Sequence, residues 1–312
     1  MTEIIYLLLG ILILYFSGNW LVSGSTSLAK HLNVQPFIIA LTLVAFGTSA
    51  PELAISVNSA LKGYPGITIG NIVGSNVANV LFAIPLAFLI TIPKSSDIKK
   101  IDCLYLVLAT AFFIFIYFKF LFFGFYSGIL MVVMLFTYMT YVIYEAIKGK
   151  RAINTEEITT SFSLKKAITF LFIGLVGVVA GADILVKGAT MTASSYGISQ
   201  TIIGLTIVAI GTSIPEVVTS MVAAYRGQTG FILGAILGSN FFNLLAITGV
   251  ASLITRIPTQ NTLNNIDIMY LILSTLVFIL VAFYTRLLNK KLVLLILISY
   301  VIYVLFVYLR MI

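Results

Sequence analysis

Long apolar runs separated by short polar breaks organise this chain of 312 residues from end to end. Runs of about 20 residues, the length that crosses a bilayer as a helix, fall at roughly 4–23, 36–61, 66–90, 102–118 and 121–147. They recur at 166–188, 200–225, 230–254, 267–286 and 290–310. The pattern predicts an all-α polytopic membrane protein of ten helices. The longest polar stretch, 148–166, divides the segments into two sets of five, residues 1–147 and 167–312. It reads as a basic, Thr/Ser-rich surface tether. The first segment lacks a basic leader and carries Glu3, so it is expected to remain as a helix rather than to be cleaved as a signal peptide.

Polar residues inside these runs are not scattered. Residues 41–79 read LTLVAFGTSAPELAISVNSALKGYPGITIGNIVGSNVAN, and 205–243 read LTIVAIGTSIPEVVTSMVAAYRGQTGFILGAILGSNFFN. An offset of 164 aligns them without a gap, with 19 of 39 positions identical. The match reaches back to Leu21-Val22 and Leu185-Val186, and to Gly24 and Gly188. Five helices per copy is an odd number, so the second copy should enter the membrane reversed, giving inverted repeats.

Gly-Thr-Ser-x-Pro-Glu is a poor helix. Proline removes one hydrogen bond and clashes with the carbonyl four residues back, which is Gly47 for Pro51 and Gly211 for Pro215. A break at Thr48 and Thr212 frees carbonyls that a membrane tolerates only inside protein or beside a polar cavity. Glu52 and Glu216 follow at once. Packing does not call for a carboxylate in hydrocarbon, so both are read as functional. Two bidentate glutamates with the Thr48 and Thr212 carbonyls would offer about six oxygens, within the range that Ca²⁺ takes. Ser75 and Asn79, like Ser239 and Asn243, lie four apart and share a helix face. No His or Cys lies near either motif, which argues against a soft transition metal. Gly70, Gly74, Gly234 and Gly238 fit close helix packing, whatever the function.

Composition narrows the class further. The chain is 60% hydrophobic and 9% charged, against roughly 25% charged in soluble domains. Its net charge of +8 reflects sidedness rather than nucleic-acid binding. Loops after the odd-numbered segments hold thirteen of the 18 Lys and Arg residues. That bias places 148–166 in the cytoplasm and both termini outside. Cys103 is the single cysteine, so no disulfide forms within the chain. Asp183 is expected to pair with Lys187 on its own helix; its repeat counterpart is Asn19. Glu145 is expected to be solvated, and His31 to be a surface residue in the loop after the first segment. Nothing in the residues calls for a resident cofactor or a protein partner.

GTSAPE…GSNVAN and GTSIPE…GSNFFN resemble the two repeats of the cation/calcium exchanger superfamily, in particular its sodium/calcium exchanger branch. The resemblance covers the whole ten-helix plan. It implies alternating access, with the first and sixth helices sliding past the others. It implies that Glu52, Glu216 and the Thr48 and Thr212 carbonyls hold calcium. One flanking sodium site would use the Ala45 carbonyl, Thr48 hydroxyl, Ser49 and Ser75; the other would use the Ala209 carbonyl, Thr212 hydroxyl, Ser213 and Ser239. Potassium-coupled members typically carry aspartate where this chain has Asn243, which implies independence of K⁺. Proton-coupled relatives usually show a different motif around their glutamates.

The expected function is therefore a secondary antiporter exchanging Ca²⁺ for several Na⁺, in a prokaryotic cell membrane. Two other readings stay open on the residues. A Ca²⁺/H⁺ antiporter would use the same glutamates as proton carriers. A cation channel, from a different class, would need no two-sided gate around one site. An enzyme is disfavoured, because the buried glutamates lack a nucleophile partner.

Overall fold

The computed structural model describes residues 2–151, 162–196 and 209–309. Its helices are α1 (Thr2–His31), α2 (Pro36–Thr48), α3 (Ala50–Leu61), α4 (Pro65–Ile90), α5 (Lys100–Lys119) and α6 (Phe125–Ile147). They continue as α7 (Leu164–Ser195), α8 (Ile214–Tyr225), α9 (Thr229–Ile254), α10 (Asn265–Phe283) and α11 (Lys290–Leu309). Eight of these are long and apolar enough to cross a membrane, and α2 with α3 forms a further span bent by 42°. The expected segment 200–225 is represented by a helical turn at Ala209–Gly211 and by α8; residues 197–208 lie outside the described residues. Strands β1 (Phe122–Phe123) and β2 (Ile257–Pro258) pair antiparallel, joining the α5–α6 and α9–α10 connections.

α1 and α7 run longer than their apolar patterns of 4–23 and 166–188 suggest. Residues 23–27 of α1 are polar or small, which reads as the end of a span, yet Ser23, Gly24, Ser25, Thr26 and Ser27 are all buried. Ser23 and Thr26 return their hydroxyls to carbonyls one turn back, at Asn19 and Val22, so these hydroxyls are satisfied within the helix. His31 is consequently the last residue of α1 rather than part of a loop, exposed as expected, with Nε2 2.7 Å from the Phe162 carbonyl.

Glycines set the contact between α1 and α7. Gly10 lies against the backbone of Leu185 and Gly24 against Leu171, while Gly174 meets Leu21 and Gly188 meets Leu7. Rising numbers in one helix meet falling numbers in the other, so the two run antiparallel. Each contact is also the repeat counterpart of another: Gly10 and Leu185 become Gly174 and Leu21 when the offset of 164 is applied. Gly234 and Gly238 likewise bring α9 onto the backbone of Phe37 and Leu41 in α2. Among the described residues Gly70 and Gly74 meet no such neighbour; the counterparts of Phe37 and Leu41, at 201 and 205, lie outside the described residues.

A second correspondence, at an offset of 165, joins α5–α6 to α10–α11. Asp102 Oδ2 accepts from Lys99 N at 2.8 Å, capping α5, while Asp102 Oδ1 accepts from the Tyr138 hydroxyl at 2.9 Å. Asp267 caps α10 through Asn264 N at 2.7 Å and accepts from Tyr303 at 3.2 Å. Tyr105 stacks obliquely on Tyr138, and Tyr270 on Tyr303. Thr110 and Thr275, counterparts under this offset, meet each other at 3.1 Å.

Candidate ion site

Both Gly-Thr-Ser-x-Pro-Glu elements break their helices at the same point. Ser49 (φ −83°, ψ 6°) separates α2 from α3, and Ser213 (φ −86°, ψ 0°) precedes α8. Pro51 and Pro215 then occupy the first turn of the new helix, where a missing N–H costs nothing. Glu52 and Glu216 also fall in that first turn, where the helix dipole favours negative charge. Each carboxylate is thus aimed from a helix start into the protein, and each residue is 1% exposed.

Opposite helix walls carry wide turns. Asn79 opens a π turn, Asn79–Ala83, in α4, and Asn243 lies in another, Phe242–Ile247, in α9. In α4 the Ile84 N–H reaches back five residues to the Asn79 carbonyl, just before Pro85, which has no N–H to give. Such turns recur at functional sites.

Side chains cross between the two halves. Ser49 Oγ donates to Glu216 Oε1 at 3.4 Å and Ser239 Oγ to the same atom at 3.2 Å. Thr48 also hydrogen-bonds Glu216, and Thr212 hydrogen-bonds Glu52. The two carboxylates are close enough to repel one another. Asn79 Nδ2 donates to Asn240 Oδ1 at 3.0 Å. Ala45, Thr48, Ser49, Ser75, Asn79, Thr212, Ser213, Ser239 and Asn243 are all buried. Ala209 opens the helical turn that leads into Thr212. Four oxygens in this group, Glu52 Oε2, Glu216 Oε2, Asn79 Oδ1 and Asn243 Oδ1, have no hydrogen-bond partner among the described residues. Nor does any Lys, Arg or His there pair with either glutamate. Buried oxygens without partners, two of them on carboxylates, are a donor set for a hard cation.

Comparison with known proteins places the chain in a family. The family model described as sodium/calcium exchanger protein matches the chain over residues 2–146 and again over 166–311. The chain belongs to this family. This exchanger-family chain is 33% identical over 282 residues to an uncharacterized membrane protein of Methanocaldococcus jannaschii, covering 90% of each. It is 31% identical over 293 residues to sodium/calcium exchanger MaX1 of Methanosarcina acetivorans, covering 81% of this chain and 83% of that one. Among solved structures it matches the sodium-calcium exchanger NCX_Mj with a TM-score of 0.81 and 30% identity, covering 97% of each chain. It is accordingly a polytopic helical membrane protein.

The sequence reading of this exchanger-family chain missed a second buried acidic cluster. Asp183 was expected to be the one further acid within an apolar run, and its pair with Lys187 does form, at 2.7 Å. Asp102 and Asp267, at the starts of α5 and α10, are nevertheless buried as well. Glu145, expected in solvent, is also buried. For Asp102 and Glu145 the partner is Arg151, read from sequence as part of a surface tether. Its side chain is fully buried and grips Asp102 through two bonds of 2.7 and 3.1 Å. It also reaches Glu145 Oε2 at 3.1 Å, which Lys99 approaches from the other side at 2.8 Å. Burial works against the charge of Arg151, but its bonds to Asp102 outweigh that and hold its pKa above the usual value. The available signal was the spacing of 36 shared by Asp102…Tyr138 and Asp267…Tyr303. Asn71 was also missed; it ties α4 to α3 through the Glu52 carbonyl at 3.2 Å and Ser56 Oγ at 2.9 Å.

Proposed function

We propose that this chain is a secondary antiporter that exchanges Ca²⁺ for several Na⁺ by alternating access. The observation that carries the reading is the pair Glu52 and Glu216, buried together with open oxygens and, among the described residues, no cationic side chain on either. Two carboxylates balance one Ca²⁺ or two Na⁺, so the two cations can satisfy the same centre in turn. Glu52, Glu216 and the Thr48 and Thr212 carbonyls would hold Ca²⁺. Ser49, Ser75 and the Ala45 carbonyl would complete one Na⁺ position, and Ser213, Ser239 and the Ala209 carbonyl another. Asn79 and Asn243 supply amide oxygens to the same space.

The architecture proposed with this function is ten membrane helices in two inverted five-helix repeats, with both termini outside. Three observations support it. α1 and α7 meet antiparallel through counterpart glycine contacts. The Asp–Tyr clamp occurs once in each half. Thr110 touches its own counterpart Thr275, which is the expected behaviour of residues beside a two-fold axis.

The test is Ca²⁺ uptake into sealed vesicles containing the purified protein. An outward Na⁺ gradient should drive uptake, and a pH gradient alone should not. Uptake that ignores Na⁺ and follows pH would replace this reading with proton exchange. Ca²⁺ flux with no exchangeable ion on the opposite side would replace it with a channel.

A further inference from the structure

The two halves match in sequence but differ in how the long helices α1 and α7 meet the helices that carry the glutamates. α1 packs along α8, with Gly18 seated against Val218 and Val222. The counterpart pair, α7 and α3, makes no comparable contact. At the end of the α1–α8 contact, Asn19 Oδ1 accepts two bonds from Arg226, at 3.1 Å from Nε and 2.8 Å from Nη2. The offset of 164 carries Asn19 to Asp183 and Arg226 to Lys62.

Lys62 and Arg226 occupy the same place on matching helix ends. Each is the residue after the last turn, in α3 and α8 respectively. Each is followed by a glycine in the left-handed region, Gly63 at φ 74° and Gly227 at φ 72°. In each, the next two N–H groups turn back onto the helix: Gly63 to Ala60 and Tyr64 to Ser59, Gly227 to Ala224 and Gln228 to Ala223. This closing motif fixes the direction in which the cationic side chain leaves the helix. Arg226 is engaged. Lys62 is exposed and makes no hydrogen bond or ion pair among the described residues. Asp183 meanwhile turns to Lys187 on its own helix, with the two side chains 61% and 59% exposed. An exposed pair of this kind is weak, so Asp183 can exchange partners at small cost.

We propose that Asn19–Arg226 and Asp183–Lys62 are alternative latches, closed in opposite access states. This rests on the exchange function and inverted repeats proposed above. In an inverted-repeat carrier, one half of the molecule in one state takes the arrangement of the other half in the opposite state. The α1–α8 contact then opens as α7 closes on α3, and Asp183 leaves Lys187 for Lys62. Both residues of the second latch are charged, whereas Asn19 is neutral, so the two closed states are not held equally.

Two cysteine pairs in a Cys103→Ala background test the proposal: Asn19→Cys with Arg226→Cys, and Lys62→Cys with Asp183→Cys. Reconstituted protein is treated with a short thiol cross-linker in saturating Na⁺, in saturating Ca²⁺ and without either. The yields of the two pairs should move in opposite directions between conditions, and either cross-link should stop flux until reduced. Asp183→Asn should shift the balance toward the first pair by up to about fivefold, the range of an exposed ion pair. Combining Lys62→Asp with Asp183→Lys should recover the flux that each single reversal loses, which guards against cysteine variants that fail to fold. The proposal is overturned if the second pair never cross-links in protein that still transports, or if both yields rise and fall together. Na⁺-driven Ca²⁺ uptake by the wild type, measured in parallel, tests the exchange reading separately. Its failure alongside opposed cross-link yields would overturn the choice of ions and leave the latches standing.

Discussion

Among the described residues two buried acidic pairs stand out, and the chain treats them in opposite ways. Asp102 and Glu145 are answered by Arg151 and Lys99, and Tyr138 and the Lys99 N–H add hydrogen bonds to Asp102. Glu216 receives the Ser49 and Ser239 hydroxyls, neither Glu52 nor Glu216 pairs with a cationic side chain among the described residues, and each keeps one oxygen open. Burying charge without compensation is expensive. A fold that supplies two cations at one acidic pair and none at the other leaves the second pair to a cation from solution. On the proposed function, counter-charge and not depth separates a structural use of carboxylates from a transporting one.

The largest effect is expected where the cation is mobile. Glu52→Gln and Glu216→Gln should each reduce Ca²⁺ exchange by roughly two to three orders of magnitude, since a single carboxylate leaves Ca²⁺ half balanced. Thermal unfolding of both variants should stay close to that of the wild type, because no side chain of the protein loses its ionic partner. At the other pair the pattern should reverse. Arg151→Gln leaves Asp102 without its cation and Glu145 with Lys99 alone, and should lower stability by about 3–5 kcal/mol in an unfolding titration. Adding Asp102→Asn should recover part of that loss. If Arg151→Gln instead spared stability and removed transport, the division between the two pairs would be wrong.

Smaller changes sharpen the contrast. Tyr138→Phe and Tyr303→Phe each remove one hydrogen bond to a buried carboxylate and should cost on the order of 1–2 kcal/mol in the same titration. Acidification should weaken Ca²⁺ binding, because Glu52 and Glu216 must both be ionised to balance the ion. Asn243 cannot take up a proton near neutral pH, so at this position no third acid should contribute. Ca²⁺ titrations at several pH values, compared with Asn243→Asp, read this directly. The smallest expected effect is none at all: adding K⁺ at constant Na⁺ should leave wild-type flux unchanged. A strong K⁺ requirement would refute that role for the amide.

The pair proposed to bind the transported ions was marked in sequence, and the ion-paired cluster was not, for a physical reason. Gly-Thr-Ser-x-Pro-Glu breaks a helix and places an acid beside the break, so local chemistry marks the position, and duplication repeats the mark. Asp102 lies at the start of an apolar run, where acids are common as helix caps, and its cap to Lys99 N is indeed local. What buries it is Arg151, which lies 49 residues away in a stretch that reads as a basic surface loop. Glu145 was misjudged for the same reason. The length of α1 was underestimated because a polar run resembles a helix end until a partner helix covers it, as α7 does for Gly24. Local breaks are written in the chain, whereas long-range neutralisation appears only in the fold.

The central claim is that Glu52 and Glu216 form one centre that Ca²⁺ and Na⁺ occupy in turn. Ca²⁺ binding to the purified protein, titrated at rising Na⁺, addresses it most directly. The account predicts that Na⁺ displaces bound Ca²⁺ from the wild type and that Glu52→Gln and Glu216→Gln each bind Ca²⁺ far more weakly. Wild-type affinity in either variant, or bound Ca²⁺ that rising Na⁺ leaves in place, would contradict it.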